Sequence, residues 1–442
     1  MKETMVAGLQ RISFRAFPAL ALVFLAAVPA GAQLRAEIVG PGVMRVPIAA
    51  PTLESIGTGD AALEKEFSRV LAGDLDISGL FRMVDPASYI EGVPPGPLGP
   101  ERINFLNWQA VGARGLLLGR YMSSPDELTV EVAFFDVPGH TMLGGRRFRG
   151  RPGEIARMAH RTADAIMEFT TGIPGPFDSK LVFVSDRGGH TRDLFTFSFD
   201  GKVDRITNHH SVVMAPAWHP DTRSIVFTSF RDGAADLFSV DLSSRSERKL
   251  ASKMGLNIGG AWRPDGSVLA VARESGGNTD IYALDFGGQA QQRLTDHWGI
   301  DVDPSWSPDG NRLAFCSSRG GTPQVYTMTY PDKKVSRVTF SGSYNCSPVW
   351  SPDGRSIAYA GRAGRAFHIY VVPAGGGEPR QLTTSGSDED PTWSPDSRFI
   401  AFSREQGSHS KIFLVDVTGR WERQLTTGEG DDTSPSWSRR FE

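Results

Sequence analysis

Trp306-Ser307-Pro308-Asp309-Gly310 is the stretch on which the reading of this chain turns. It returns as Trp350-Ser351-Pro352-Asp353-Gly354 and Trp262-Arg263-Pro264-Asp265-Gly266. Without the glycine it returns as Trp218-His219-Pro220-Asp221 and Trp393-Ser394-Pro395-Asp396, and a last copy stops at Trp437-Ser438. The six tryptophans stand 44, 44, 44, 43 and 44 residues apart. A fixed period in the forties, with strand-rich units, marks the blades of a β-propeller. Pro presets φ for a tight turn, Asp bonds its own backbone and Gly accepts positive φ. Trp adds a large apolar body with one donor to satisfy. Each phrase reads as a strand ending in a tight turn, a scaffold element with no catalytic role.

Three more strands follow each tryptophan strand. The second strands are expected at 181–185, 225–229, 268–272, 313–317, 357–360 and 399–403. The third begin at Leu194, Leu237, Ile281, Val325, Ile369 and Ile412. The fourth carry Arg205-Ile206-Thr207, Lys249-Leu250, Arg293-Leu294-Thr295, Arg337-Val338-Thr339, Gln381-Leu382-Thr383 and Gln424-Leu425-Thr426. The first set lacks a tryptophan strand, and the tryptophan strand at Trp437 lacks a set. The two leftovers complete one blade if the C-terminal strand, 434–438, pairs beside 181–185. Such closure removes a free sheet edge. The expected fold is an α/β N-terminal domain followed by an all-β six-bladed propeller, 181–442.

Upstream, basic residues precede an apolar run from Ala16 to Val28, and Ala30-Gly31-Ala32 follows. This is the pattern of a secretory signal peptide over 1–32, cleaved before Gln33. Its run of about 13 residues is short of the roughly 20 a transmembrane helix needs. With no Cys near the site, a lipid anchor is excluded. Residues 33–50 alternate poorly and are broken by Gly40-Pro41-Gly42, so they read either as a detachable extended arm that could add to a partner's sheet edge or as a frayed terminus. Residues 51–172 form a small α/β domain. In it Asp60 to Val70 has one apolar face, three strands run over 115–122, 128–137 and 141–148, and a helix starts near Pro152 and ends at Gly172. Residues 173–180 make a stiff Pro/Gly linker.

The chain has 442 residues, 49 Gly, 29 Pro and a formal net charge of −3, with no basic stripe for nucleic acid. Its two cysteines, Cys316 and Cys346, could pair in an oxidising compartment, but two small buried thiols are the preferred reading. There is no Gly-x-Ser-x-Gly elbow, no His-Glu-x-x-His, no Gly-x-x-x-x-Gly-Lys and no zinc-type cysteine spacing. No catalytic residue, cofactor or metal site is therefore expected. His209-His210 reads as a solvated loop pair and His219 as structural.

What remains is the set of loops leading into the tryptophan strands, which a propeller gathers around one mouth of its channel. Asp301, Val302 and Asp303, then Asp388, Glu389 and Asp390, and Asp431-Asp432 are acidic. Met214, Leu256-Asn257-Ile258-Gly259 and Tyr344-Asn345-Cys346 mix apolar and amide groups. The carboxylates are either solvated turn residues capping amides or an acidic rim that steers a partner by its field. A mouth with an apolar half and a charged half suits protein recognition.

The order of parts resembles the TolB family, the periplasmic propellers of the Tol–Pal envelope system. The resemblance rests on the signal peptide, the short N-terminal segment, the small α/β domain, the repeats and the closing Pro435-Ser436-Trp437-Ser438. It implies a non-enzymatic, monomeric periplasmic adaptor that supports outer-membrane integrity and constriction at division. Partners would be the lipoprotein Pal, at the mouth loops just named apart from Asp431-Asp432, and TolA, at the N-terminal segment Gln33, Leu34, Arg35, Ala36, Glu37, Ile38 and Val39. The alternatives are a propeller accessory to an exported peptidase and a ligand-binding propeller.

Overall fold

The computed structural model describes residues 45–441 except 188, 190, 210, 252–256, 286 and 288. The signal segment and the stretch from Gln33 to Val39 lie outside the described residues. The α/β domain is built on β1 (Val46–Ala49), β2 (Glu54–Ser55), β3 (Phe81–Met83), β4 (Gly115–Ser123), β5 (Leu128–Asp136) and β6 (Thr141–Gly150). The sheet order is β3-β1-β4-β5-β6, with β2 beside β4. Helices α1 (Ala61–Ile77) and α3 (Ile155–Thr171) bury Phe67, Leu71, Met158 and Ile166 on one face of the sheet. The short helix α2 (Phe105–Ala110) packs Trp108 on the other. Asp60 caps α1, accepting from the Ala62 and Leu63 amides, and Gly172 at φ +78° ends α3.

One boundary moves. Residues 46–49, expected within the arm, form an interior strand parallel to both β3 and β4, with Ile48 and Ala49 fully buried. Four residues hydrogen-bonded on both sides do not need strict alternation, because both faces of the sheet are covered.

The propeller has six four-stranded blades, numbered here from the first tryptophan strand. Their inner strands are Val213–Trp218, Asn257–Trp262, Asp301–Trp306, Asn345–Trp350, Ser387–Trp393 and Asp432–Trp437, and neighbours touch around a closed ring. The repeat phrase works as its residues imply. Asp309, Asp353 and Asp396 accept both the Ser hydroxyl of the phrase and the amide two residues on. Further out, Thr207, Thr295, Thr339, Thr383 and Thr426 each accept an amide of the third strand, from Leu194, Ile281, Val325, Ile369 and Ile412, at 2.9–3.0 Å. These ties pin the short outer strand to its neighbour in five blades; blade 1 carries Ala251 there.

Blade 6 is closed as expected: Asp432–Trp437 pairs antiparallel with Lys180–Ser185. The Ser438 amide donates to Lys180 O, the Lys180 amide to Ser438 Oγ, and Trp437 Nε1 to Ser179 Oγ at 2.7 Å. Two other expectations are corrected. Cys316 and Cys346 are joined as a disulfide with Cα atoms 5.0 Å apart, because the second strand of blade 3 runs beside the inner strand of blade 4. His209 is not solvated: its side chain is buried and bonds Glu247 at 2.6 Å.

The two parts share one core. Phe177 of the linker and Phe195, Phe197, Phe199, Phe399 and Trp437 of blades 5 and 6 belong to the same cluster as Phe67, Leu71 and Met158. Polar ties cross as well. Asp76 on α1 pairs with Arg45 at the root of β1 and with Arg423 of blade 5. Asp164 on α3 accepts the Phe177 and Asp178 amides at 2.8 and 3.0 Å, and within the α/β domain Asp74 of α1 holds His160 of α3 at 2.7 Å. Burial pushes the Asp164 carboxyl up to about 7 and the Asp74 carboxyl up to about 6.

Deleting residues 433–442 removes the closing strand and the buried Trp437 indole, itself worth about 3–5 kcal/mol. The expected outcome is loss of the single cooperative unfolding transition, checked by calorimetry. For Asp164, the folded carboxyl binds its proton more tightly than the unfolded one. Its contribution is therefore full below about pH 4 and is lost as pH climbs toward about 7. The melting temperature of the wild type relative to Asp164→Asn should fall between about pH 4 and 7 and level off above.

Candidate functional site

Chain direction assigns two ends to the propeller. Each inner strand ends at its Trp, so the turns of the repeat phrase and the hairpins between third and fourth strands share one end. The α/β domain attaches there: Arg69 donates to Asp200 O, in such a hairpin, and Arg157 pairs with Asp178 of the linker. A cavity of about 1420 Å³ lies at this end, lined by the six tryptophans and by Glu154, Arg157 and His160 of the α/β domain. The opposite mouth carries the loops between fourth and inner strands and those between second and third strands. It is the candidate site.

In blades 3, 5 and 6 a buried aspartate stands at the start of the inner strand, first in blades 3 and 6 and second in blade 5. Asp301, Asp388 and Asp432 are each 0 % exposed. Asp301 pairs with Arg319 at 2.8 Å, Asp388 with Arg404 at 2.6 Å and Asp432 with Arg187 at 2.5 Å. Each guanidinium also lies over the aromatic pair that joins its blade's second and third strands: Phe315 and Tyr326, Phe402 and Phe413, Phe183 and Phe195. A fully buried carboxylate needs such a partner. These three aspartates are therefore clamps within blades, which corrects the reading of Asp301 and Asp388 as a partner-facing rim. Burial still raises the Asp388 carboxyl, with Arg404 pulling the other way. In blade 4 Asn345 takes the same place, donating to Gln324 Oε1 and Ser341 O at 2.8 Å.

Two residues further on the pattern inverts. In every blade the pairing of inner and second strand slips by one residue, between Met214 and Ala217 in blade 1 and between Val302 and Ser305 in blade 3. The extra residue adopts a left-handed backbone: Ala215, Gly259, Asp303, Ser347, Asp390 and Ser434, with φ between +49° and +66°. A bulge of this kind re-aims a side chain and ends regular alternation. Asp303 thus accepts from the Ser347 amide and hydroxyl of the next blade, at 3.2 and 3.3 Å, and Asp390 from the Ser434 hydroxyl at 3.0 Å. Among the described residues neither has an ion-pair partner. Burial and the charge of Asp390 push Asp303 up to about 6, and burial raises Asp390. Glu389 is exposed beside them and raised by burial and by the charges of Asp390 and Glu405.

The other expected positions divide. Met214, Ile258 and Val302 are half-buried residues at the bulges, and Cys346 is buried in the disulfide. Tyr344 lies on the rim, edge-on to Phe367 at 5.3 Å. The Gly259 amide donates to Thr228 Oγ1, and Asn257 opens its strand. Leu256 lies outside the described residues. The sequence reading missed Trp298, Ile300 and Phe340, which are 74 %, 54 % and 75 % exposed on the loops leading into blades 3 and 4. The signal was present: Trp298 is a tryptophan out of phase with the 44-residue period.

Fold and mouth define a class, a six-bladed propeller with an α/β domain docked on its Trp side and the opposite mouth open. Family comparison agrees in both parts: a "TolB amino-terminal domain" matches residues 34–143 and a "TolB beta propeller domain" matches residues 167–441. The chain belongs to the TolB family. A relative from Syntrophotalea carbinolica, described as "Tol-Pal system protein TolB", is 38% identical over 214 residues, 48% of this chain and 50% of its own length. One of the same description from Cereibacter sphaeroides is 35% identical over 245 residues, 54% of each chain. The chain thus spans about half the length of the curated relatives it matches. The crystal structure of TolB from Acinetobacter baumannii superposes with a TM-score of 0.78 at 26% identity, covering 92% of this chain and 100% of that one.

Arg404→Met leaves Asp388 buried without its partner and should cost about 3–5 kcal/mol. Glu389→Gln, on the exposed rim, should stay within about 0.5 kcal/mol of wild type. Urea unfolding of the two variants checks the division between clamp and rim.

Proposed function

We propose that this chain is a non-enzymatic periplasmic adaptor of the Tol–Pal system. It binds the lipoprotein Pal through the open propeller mouth and TolA through the N-terminal segment from Gln33 to Val39, and so supports outer-membrane integrity and constriction during division. The observation that carries the reading is the arrangement of the two ends. The α/β domain occupies the Trp side, while the opposite mouth keeps together exposed apolar side chains and carboxylates that have no ion-pair partner among the described residues. Membership of the TolB family supports the partner class, and the relatives' description as Tol-Pal system proteins supports the pathway. The signal-peptide pattern of 1–32 supports export, and no helix among the described residues is long and apolar enough to cross a membrane.

The division of labour has a physical basis. β1 anchors the segment's root in the α/β sheet, so the residues before it can engage a second partner while the mouth holds the first. Titration calorimetry with the soluble domain of Pal and the C-terminal domain of TolA tests this. Deletion of residues 33–45 should abolish TolA binding and leave Pal binding within about twofold. Loss of both would overturn the assignment of partners to separate ends.

A further inference from the structure

Among the described residues of the propeller, the large hydrophobic side chains that stand exposed are Val212, Trp298, Ile300, Phe340 and Tyr344. All five lie at the open mouth, on loops that lead into inner strands. Scattered exposed apolar residues need no explanation, but their confinement to one rim of a large surface does. The loops before blades 3 and 4 are braced from behind. Ile300 O accepts the Ser318 amide, the Asn345 amide donates to Pro323 O, and Gln324 Nε2 donates to Gly342 O. Both loops therefore flank the turn 318–323 of blade 3. The Arg337 guanidinium lies over the Phe340 ring at 5.2 Å and leaves the side chain three-quarters open. The corresponding loops before blades 5 and 6 are polar, Thr383-Thr384-Ser385-Gly386 and Thr426-Thr427-Gly428-Glu429.

We propose that Trp298, Ile300 and Phe340 are the anchor of the mouth, seating a folded protein partner whose apolar side chains meet them while a basic side chain points into the channel towards Asp303 and Asp390. The proposal rests on the reading of the mouth as a docking face and adds which residues hold and what chemistry they take. Trp and other aromatic residues supply most of the energy where a protein face is fully desolvated. The choice of occupant follows from charge. Among the described residues Asp303, Asp390 and Glu389 have no Lys or Arg partner, whereas Asp301 and Asp388 are neutralised inside their blades. A cationic group on the partner is the complement of that unneutralised half, and a partner surface bearing carboxylates is repelled.

Site-specific photo-crosslinking in intact cells tests this with the full chain. A benzophenone side chain replaces Trp298 or Phe340, and Met122, exposed on the α/β domain, serves as control. One envelope protein should be captured from 298 and 340 and not from 122. With that partner purified, Trp298→Ser with Phe340→Ser should weaken binding about 30-fold or more, without moving the melting temperature of these exposed sites. Binding should also weaken as salt rises, and Asp303→Asn with Asp390→Asn should flatten that dependence. Absence of an adduct from both positions, capture only of a second copy of this chain, or affinity within about threefold for the double serine variant overturns the proposal. If the captured protein is not Pal, the anchor stands and the Pal assignment falls. If Pal binds the double serine variant as tightly as wild type, the Pal assignment stands and the anchor falls.

Discussion

The antiparallel pairing of Asp432–Trp437 with Lys180–Ser185 is the constraint on which the molecule depends. The ring is closed by hydrogen bonds, and this pairing of the two ends of the domain supplies them. The same junction fixes the α/β domain. Trp437 reaches Ser179, the Phe441 amide reaches Asp178 O, and Asp178 in turn holds Arg157 of α3. Ring closure and domain docking thus rest on the same few residues, and one core cluster spans both parts there.

Much of the scaffold was legible in the sequence, for a physical reason. The Trp-x-Pro-Asp phrase and the Thr two residues past the fourth strand act through turns and short ties that their own side chains make. Local chemistry at a fixed period survives without knowledge of the tertiary structure. The unpaired leftovers at either end of the repeat likewise implied closure. The arm was less readable. Val46–Ala49 becomes an interior strand because β3 and β4, distant in sequence, flank it.

The mouth was legible as a place and misread in its residues. Asp301 and Asp303 are two positions apart and would share a face in a regular strand. One is fully buried against Arg319; the other faces the channel and bonds the next blade. The bulge between Val302 and Ser305 causes the difference, and no residue type announces it, since Ala, Gly, Asp and Ser all occupy the left-handed position. The partner Arg of each clamp lies on the neighbouring second strand or in the turn just after it, so neutralisation of the rim carboxylates could be known only from the paired blade. What the structure leaves at the mouth is a smaller set: two channel carboxylates, one exposed Glu and an apolar rim on blades 3 and 4.

The setting of β1 has a mechanical consequence. It lies parallel between β3 and β4, so a pull on the preceding segment runs along the strand and loads its hydrogen bonds together, in shear. A strand at a sheet edge would instead be peeled one bond at a time. Arg45, at the root of that strand, is linked through Asp76 to Arg423 of blade 5, so part of the load passes from the α/β sheet to the propeller wall. A tether built this way transmits tension into the body of the molecule before it yields.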